Sequence, residues 1–187
     1  KMGFALAAAA AAQGAQVVLV SGPVALATPP GVQCIDVRSS EQMHADVFEH
    51  LPGVDAFIAA AAVADYRSAE TRKQKIKKTD ADFALKLERT ADILADVSLS
   101  AQRPPLLVGF AAETENVLAY AQAKMAHKKL DAIVVNDVSV SDIGFDNDSN
   151  AVSVLMGDQR CDIARAPKAQ VAHDILAFIL KQDSMTQ

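Results

Sequence analysis

Apolar and polar residues follow one another along this chain in blocks whose lengths predict alternating helices and strands. An alanine-rich run over residues 3–13 ends at Gly14, which is typical of a helix closed by a glycine. The apolar run Val17–Val20 follows at once and predicts a buried strand. A second strand over residues 32–37 and a helix over 39–50 repeat the order, so the first quarter of the chain predicts βα units.

The rest of the chain continues this alternation with one exception. Residues 83–88 alternate apolar and polar side chains, the pattern of a strand with one face in water, so they predict a small antiparallel annex. The other predicted strands are 55–62, 106–110, 132–136, 151–156 and 161–164, and the other predicted helices are 91–99, 116–129 and 167–181.

Strands that alternate with helices at this spacing predict a Rossmann-like, doubly wound and mostly parallel sheet. Ligands of such sheets bind beyond the carboxyl ends of the strands. The predicted carboxyl ends are residues 21–23, 62–67, 110–113 and 136–137, which makes these four segments the first places to look for chemistry.

Length and composition narrow the function. The 187 residues fit one α/β domain better than two independent cores. A formal charge of −5, no tryptophan and only 5% aromatic residues disfavour a nucleic-acid binder, because the chain lacks both a general basic surface and stacking platforms. Any anion must therefore be bound by a local cluster of positive charge.

Neither export nor membrane insertion is expected. The longest apolar run, residues 4–12, is far shorter than the roughly 20 residues of a membrane helix, and a turn and a strand follow it. Cys34 and Cys161 lie in strand-like contexts without a CxxC spacing. We expect a cytoplasmic protein with two reduced cysteines in its core.

Residues 73–78 hold the densest positive charge in this acidic chain. In extended backbone, Lys75 and Lys77 point to one side, so a polyphosphate could meet two ammonium groups. A solvated loop without any ligand is the alternative, and the charge pattern alone favours that alternative.

Three further candidates lie elsewhere. Lys124 and Lys128 stand four apart on a predicted helix, where like charges repel unless an anion lies between them; the alternative is that both side chains reach solvent at the helix boundary. Asp65 is predicted directly after a buried strand, where its carboxylate could hold a ribose hydroxyl or a metal carried by phosphates, or could cap a turn. Asp92 lies early in a short helix and either complements the helix dipole or belongs to an anion site.

Several familiar motifs are missing from the sequence. It contains no GxGxxG dinucleotide fingerprint, no GxxxxGK[ST] phosphate loop and no GxSxG nucleophile elbow. Residues 146–150 begin like a calcium loop, but Ala151 and Gly157 occupy the positions that require Gly and Glu, so an Asx-rich turn is expected.

Taken together, several strings in the chain resemble one family. They are Ala-Ala-Val-Ala-Asp-Tyr-Arg at 61–67, Lys-Ile-Lys-Lys at 75–78, Gly-Phe-Ala-Ala-Glu-Thr at 109–114, Lys124 with Lys128, and Asn-Asp-Val at 136–138. This combination closely resembles bacterial phosphopantothenoylcysteine synthetase, the ligase half of the bifunctional coenzyme A biosynthesis proteins. The likeness extends from Lys1 to about Ile179.

The resemblance implies CTP-dependent ligation of 4′-phosphopantothenate with L-cysteine through an acyl-cytidylate. It also implies Mg²⁺ with the CTP, a homodimer, and a preceding decarboxylase domain that holds FMN. Lys75 matches the family's lysine for CTP binding and later chemistry. The other positions that resemble CTP contacts are Ala59, Ala60, Ala61, Asp65, Ala91, Asp92, Ile93, Leu94, Phe110, Lys124 and Lys128.

Two departures from the family pattern stand out. The family usually has Asn-Pro-Asp at the start of the short helix, whereas this chain has Thr90-Ala91-Asp92 and so lacks the proline that pre-sets the first turn. In relatives, Lys1 is preceded by a strand and by a loop with an essential Asn. The resemblance therefore describes residues 1–187 as a single CTP-binding ligase domain without its N-terminal strand and loop, and implies that it is inactive alone.

Two other classes of function stay open at this point. One is an NAD(P)-linked Rossmann reductase, which the absent fingerprint disfavours. The other is a non-catalytic dimerisation module built from the same kind of domain.

Overall fold

The computed structural model describes residues 1–70, 74, 84–113, 117–137 and 147–186. In chain order, the elements of these residues are α1 (Met2–Ala12), β1 (Val17–Ser21), β2 (Val32–Asp36), α2 (Ser40–His50), β3 (Ala56–Ala59), β4 (Tyr66–Ser68), β5 (Leu87–Arg89), α3 (Ile93–Leu99), β6 (Leu106–Glu113), α4 (Val117–His127), β7 (Ala132–Asp137), β8 (Ser149–Met156), β9 (Gln159–Pro167) and α5 (Lys168–Thr186).

Local chemistry accounts for the bounds of the first helices. Gly14 adopts φ +89°, a left-handed conformation that favours glycine, directly after α1 has ended. Ser39 caps α2 by accepting a hydrogen bond from Gln42 N, and the Gln42 side chain accepts one from Arg38 N in return. This reciprocal pair satisfies two amides at the helix start.

The central sheet has the order β3-β6-β7-β8-β9. The pairs β3–β6 and β6–β7 are parallel, whereas β8 and β9 add an antiparallel hairpin to the edge at β7. Parallel strands β1 and β2 form a second sheet, and β4 and β5 form a small antiparallel ribbon. The predicted α/β architecture with a mostly parallel sheet and an antiparallel annex is confirmed.

The core occupies both faces of the central sheet. One face packs against α1 and α5, with Val134, Val154 and Ile175 fully buried. The opposite face packs against α2, α3 and α4, with Val97, Leu107 and Ile133 fully buried. Covering both faces is what a parallel sheet requires, and it leaves the strand ends as the accessible part.

Some expectations about the elements were wrong in detail. The predicted strand 55–62 pairs only over Ala56–Ala59, so the alanines after it are irregular backbone. Of the predicted strand 83–88, the structure has β5 over Leu87–Arg89, and residue 83 lies outside the described residues. Cys34 and Cys161 are free thiols as expected, but both are half-buried rather than core residues.

Within the described ranges, no helix is long and apolar enough to cross a membrane.

Candidate functional site

The parallel strands β3, β6 and β7 point their carboxyl ends toward the same edge of the central sheet. β3 ends at Ala59, opposite Gly109, whereas β6 and β7 continue to the pair Glu113 and Asp137. Residues 60–65 leave the end of β3 as irregular backbone. The parallel topology therefore brings three of the four predicted ligand-binding segments to the same edge.

Thr90 joins the segment after β3 to the start of α3. Its hydroxyl donates to the carbonyl of Ala64 at 2.5 Å, and its backbone N–H donates to the carbonyl of Asp65 at 3.0 Å. Asp65 thus lies just before β4, six residues after the end of β3, and not directly after a strand as predicted. The two Thr90 hydrogen bonds nevertheless place it next to residues 91 and 92.

Asp92 is the N-cap of α3, and its carboxylate accepts a hydrogen bond from Ala95 N at 3.1 Å. The same carboxylate binds the Lys128 ammonium with both oxygens, at 2.9 and 2.7 Å. Partial burial raises the pKa of Asp92, but the hydrogen bonds from Lys128 and Ala95 and the charges of Lys128 and Lys124 outweigh it, so the net pKa lies below the ordinary value.

The contact between Asp92 and Lys128 revises the interpretation of the lysine pair. The anion beside Lys128 is a carboxylate of the same chain, recruited from a segment 36 residues earlier. Lys124 donates to the carbonyl of Phe110 at 3.1 Å, one residue beyond the point in β6 where its pairing with β3 ends. Two ammonium groups therefore lie at this edge, and the charges of both act on the Asp92 carboxylate.

Close packing holds α3 over β6 at the position where its pairing with β3 ends. A Cβ atom on Gly109 would lie 2.6 Å from Leu130 Cδ1 and 3.1 Å from Leu94 Cδ2, so a larger residue would force these buried leucines to shift. Ile93 and Leu94 are buried in the same apolar cluster that Ala59 packs against. On the other face, Ala60 packs against the first turn of α1 at Gly3.

The structure thus gathers most of the predicted contact positions at one edge. Residues 59–61, 65, 91–94, 110, 124 and 128 all lie in the segments just described. Lys75 lies outside the described residues, as do Lys77 and Lys78. The roles assigned to these residues stay predictions, because their proximity does not identify a ligand.

A shallow depression adjoins this edge where the β4–β5 ribbon meets α2. Arg67 forms ion pairs with Glu88 of β5, at 2.7 Å, and with Glu41 of α2. Ser40, Arg89, Thr90 and Ala91 complete its lining. The ribbon is therefore fastened to the core next to Asp65.

Sequence reasoning missed two features of this region. Thr90 was noted only as a departure from the family pattern, although its two hydrogen bonds connect the segments. Asn150 was considered only as part of an Asx-rich turn, yet its side chain is fully buried beside Asn136. The Asx turn itself is present, since Asn147 Oδ1 accepts from Ser149 N at 3.5 Å.

A grouping of three or more His, Cys, Asp or Glu side chains fit to hold a metal is absent from the described part of the chain. The edge instead offers the ammonium groups of Lys124 and Lys128, the carboxylates of Asp65 and Asp92, and irregular backbone. That combination suits a ligand carrying both negative charge and hydrogen-bonding groups.

A doubly wound α/β sheet with such an edge defines a broad class of small-molecule-binding domains. Within that class, residues 1–182 match the family model described as DNA/pantothenate metabolism flavoprotein C-terminal domain, and the chain belongs to this family.

Named relatives agree with this assignment. The chain is 44% identical over 184 residues to the coenzyme A biosynthesis bifunctional protein CoaBC of Vibrio cholerae, covering 97% of this chain and 46% of that protein. It is 48% identical over 161 residues to CoaBC of Escherichia coli, covering 84% of this chain and 40% of that protein. The chain therefore spans about half the length, or less, of these curated relatives.

A solved structure supports the fold. The crystal structure of the C-terminal domain of a coenzyme A biosynthesis bifunctional protein CoaBC superposes with a TM-score of 0.80 at 36% identity, covering 99% of this chain and 82% of that one.

Proposed function

We propose that this chain is the ligase domain that joins 4′-phosphopantothenate to L-cysteine at the expense of CTP. The substrate carboxylate attacks the α-phosphorus of CTP and pyrophosphate leaves, which gives an acyl-cytidylate. The cysteine amine then attacks the acyl carbon, CMP leaves with the electron pair of the broken C–O bond, and the amine loses a proton. The product is the amide.

The observation that carries this proposal is the convergence of Lys124 and Lys128 with residues 59–65 and 91–94 at one edge of the sheet. Such an edge suits a nucleotide, because the ammonium groups can neutralise phosphate charge while the backbone offers hydrogen bonds to a base and a ribose. Relatives at 44 and 48% identity are named for coenzyme A biosynthesis, which supports the substrate class.

Each group has a role in this proposal. Lys75, Lys124 and Lys128 stabilise the charge that spreads over the phosphates as pyrophosphate leaves. The backbone of residues 59–61 and 91–94, together with Phe110, holds the nucleotide. Asp65 is exposed and accepts a ribose hydroxyl or contacts the metal ion.

Mg²⁺ fits this edge as a companion of the triphosphate. Mg²⁺ usually keeps several waters and takes only one or two protein carboxylates when phosphates supply other ligands. Asp65 could provide such a carboxylate, so the lack of a larger acidic cluster in the described segments is compatible with it. When bound, the ion would withdraw charge from the phosphates.

The same proposal includes a longer protein. A decarboxylase domain with FMN would precede the ligase domain, as the bifunctional names of the half-covered relatives suggest. A strand from that preceding segment would lie between β1 and β3 and unite the two parallel sheets. In support, β1 pairs only with β2 and β3 only with β6 among the described strands, and Val18 in β1 is 43% exposed. We expect residues 1–187 to be inactive without this strand. We also expect the protein to be cytoplasmic.

A homodimer is also part of the proposal. In the β4–β5 ribbon, Tyr66 and Leu87 expose 52% of their surface each, although tyrosine and leucine are usually more buried. A second copy of the chain would cover this ribbon. Sedimentation of the full-length protein should then give twice the monomer mass, and substituting both residues with Ser should return the monomer.

The decisive assay follows pyrophosphate release by the full-length protein with CTP, phosphopantothenate and cysteine. We expect pyrophosphate release only when CTP, phosphopantothenate and the wild-type protein are all present. Lys75→Gln should reduce turnover by about 100-fold or more while the unfolding midpoint stays the same. Absence of CTP-dependent release from the wild-type protein would refute the proposed reaction.

A further inference from the structure

Two asparagines form a buried pair at the same edge of the sheet. Asn136 is near the carboxyl end of β7, beside Ala112 of β6, and Asn150 is near the start of the antiparallel strand β8. Asn150 is completely buried and Asn136 is 9% exposed. The backbone is irregular at this point, because the register between β8 and β9 shifts between Asn150 and Val152.

The hydrogen bonds of this pair run in one direction. Asn150 Nδ2 donates to Asn136 Oδ1 at 2.9 Å, and it also lies 3.9 Å from Met2 Sδ, a weak acceptor in the first turn of α1. Asn150 Oδ1 is buried and has no hydrogen-bond partner. Both hydrogens of the Asn150 amide are therefore used, while its oxygen is not.

This arrangement fixes the orientation of Asn136. Turning only the Asn150 amide would place two acceptor oxygens against each other. Turning both amides would restore one hydrogen bond but would leave a buried N–H of Asn150 without an acceptor, which is rarer in proteins than an under-satisfied carbonyl. The observed orientation is thus the favoured one, and it directs Asn136 Oδ1 inward.

Because Asn136 Oδ1 accepts from Asn150, the Nδ2 group of Asn136 is the part of its amide that can bind other partners. Among the described residues none accepts a hydrogen bond from Asn136 Nδ2. Asn136 keeps 9% of its surface exposed near the carboxyl end of β7, where a ligand in the crevice would accept a hydrogen bond from this nitrogen.

We propose that Asn150 is a positioning residue, which holds the Asn136 amide with its N–H groups toward a phosphoryl oxygen of a bound substrate. The inference rests on the proposed function and adds a donor that the lysines do not provide. An asparagine at position 150 with an unpaired oxygen is less favourable for stability than an apolar residue of the same shape. The advantage of Asn150 therefore lies in orienting Asn136.

Both substrates of the proposed reaction carry phosphate, so CTP and phosphopantothenate are the two sources of the phosphoryl oxygen. Calorimetric titration of the full-length protein with each compound separately identifies which one depends on Asn136. The ligand whose affinity falls in Asn136→Ala, by about tenfold, is the one that receives the hydrogen bond.

The test of Asn150 uses a variant that should fold. Asn150→Leu has a similar shape, and removing the unpaired oxygen offsets the lost hydrogen bond to Asn136, so its melting temperature should stay close to that of the wild type. Freed from its partner, the Asn136 amide rotates, and the affinity for the same ligand should fall three- to tenfold. In an Asn136→Ala background, Asn150→Leu should have no further effect, because the residue it positions is gone.

Asn150→Asp gives an independent check, since its carboxylate accepts where the amide donated and should turn Asn136 around. A loss equal to that of Asn136→Ala is expected if the variant folds. The inference would be overturned if Asn150→Leu bound the ligand with wild-type affinity. It would also be overturned if Asn150→Leu reduced the affinity equally in the wild-type and Asn136→Ala backgrounds. Neither result would affect the proposed reaction. Failure of the wild-type protein to bind either substrate would instead overturn the proposed function and the inference with it.

Discussion

The two ends of β6 and β7 use the same kind of ion pair for different purposes. At the amino end, Arg103 binds Asp131 at 2.8 Å, and Asp131 Oδ2 also accepts the backbone N–H of Leu107 at 2.6 Å. Arg103 donates further to the carbonyls of Pro104 and Lys129. One acid and one base satisfy each other and the backbone around them.

At the carboxyl end, the ion pair lies beside a second cation. Lys128 binds the Asp92 carboxylate, the charge of Lys124 acts on the same carboxylate, and Lys124 also donates to the carbonyl of Phe110. The comparison teaches that the partners of the charged groups differ: the amino-end pair also binds the backbone of the strand, whereas the carboxyl-end pair lies among the positions for which we propose nucleotide binding. Substitutions should therefore cost stability at the amino end and ligand affinity at the carboxyl end.

The largest effect on stability is expected for Asp131→Ala. The substitution leaves the buried Leu107 N–H without an acceptor and Arg103 without its carboxylate, so the free energy of unfolding should fall by about 2–3 kcal/mol. Urea denaturation measures it, with Asp158→Ala in an exposed turn as the matched control. An unchanged midpoint for Asp131→Ala would remove the structural role of the amino-end pair.

Gly109→Ala tests how tightly α3 and Leu130 pack over the end of β6. The new methyl group would overlap Leu130 and crowd Leu94, both of which are buried, so unfolding should become easier by about 1–2 kcal/mol. Gly22→Ala is the matched control, because no atom lies within 4 Å of a Cβ there. Equal stability of the two variants would show that the packing is looser than described.

Lys128→Gln should act on binding rather than on folding. Losing one ammonium group should weaken CTP binding by about tenfold, as expected for one charge-assisted hydrogen bond. Stability should change by less than about 1 kcal/mol, because the Asp92 carboxylate is half exposed. Lys129→Gln, which removes the neighbouring exposed charge, is the control and should bind CTP normally.

The smallest effect concerns acid stability. The pKa of Asp92 is lower in the folded protein than its ordinary value of 3.8, so its contribution is present above that value and is lost as the pH falls through the folded pKa. The wild type should therefore lose slightly more stability than Asp92→Asn between pH 6 and pH 3, by less than about 1 kcal/mol. Parallel pH curves for the two proteins would show that Lys128 adds nothing to folding through this carboxylate.

Much of the fold follows from local sequence. The alanine run that ends at Gly14 and the apolar residues of β1 each carry a complete local signal, so their bounds were predicted to within a residue or two. The end of β3 was misjudged because Ala60–Val63 are apolar like the strand, and only the pairing partner β6 determines where the ladder stops.

The candidate site was also predictable only as far as local sequence signals reach. The spacing of Lys124 and Lys128 places them on one helix face, but nothing near them in the sequence reveals Asp92 as the partner. The Asn136 and Asn150 pair likewise depends on the pairing of β7 with β8 and on Met2 of α1 lying beside Asn150. Contacts between distant segments require the tertiary structure.

The central claim is that CTP binds at the carboxyl ends of β3, β6 and β7. A crystal structure of the full-length protein with CTP tests it most directly. We expect the nucleotide against residues 59–65 and 91–94, with its phosphates within hydrogen-bonding distance of the Lys124 or Lys128 ammonium group. A nucleotide bound elsewhere on the molecule, with the Asp92–Lys128 pair untouched, would contradict the account.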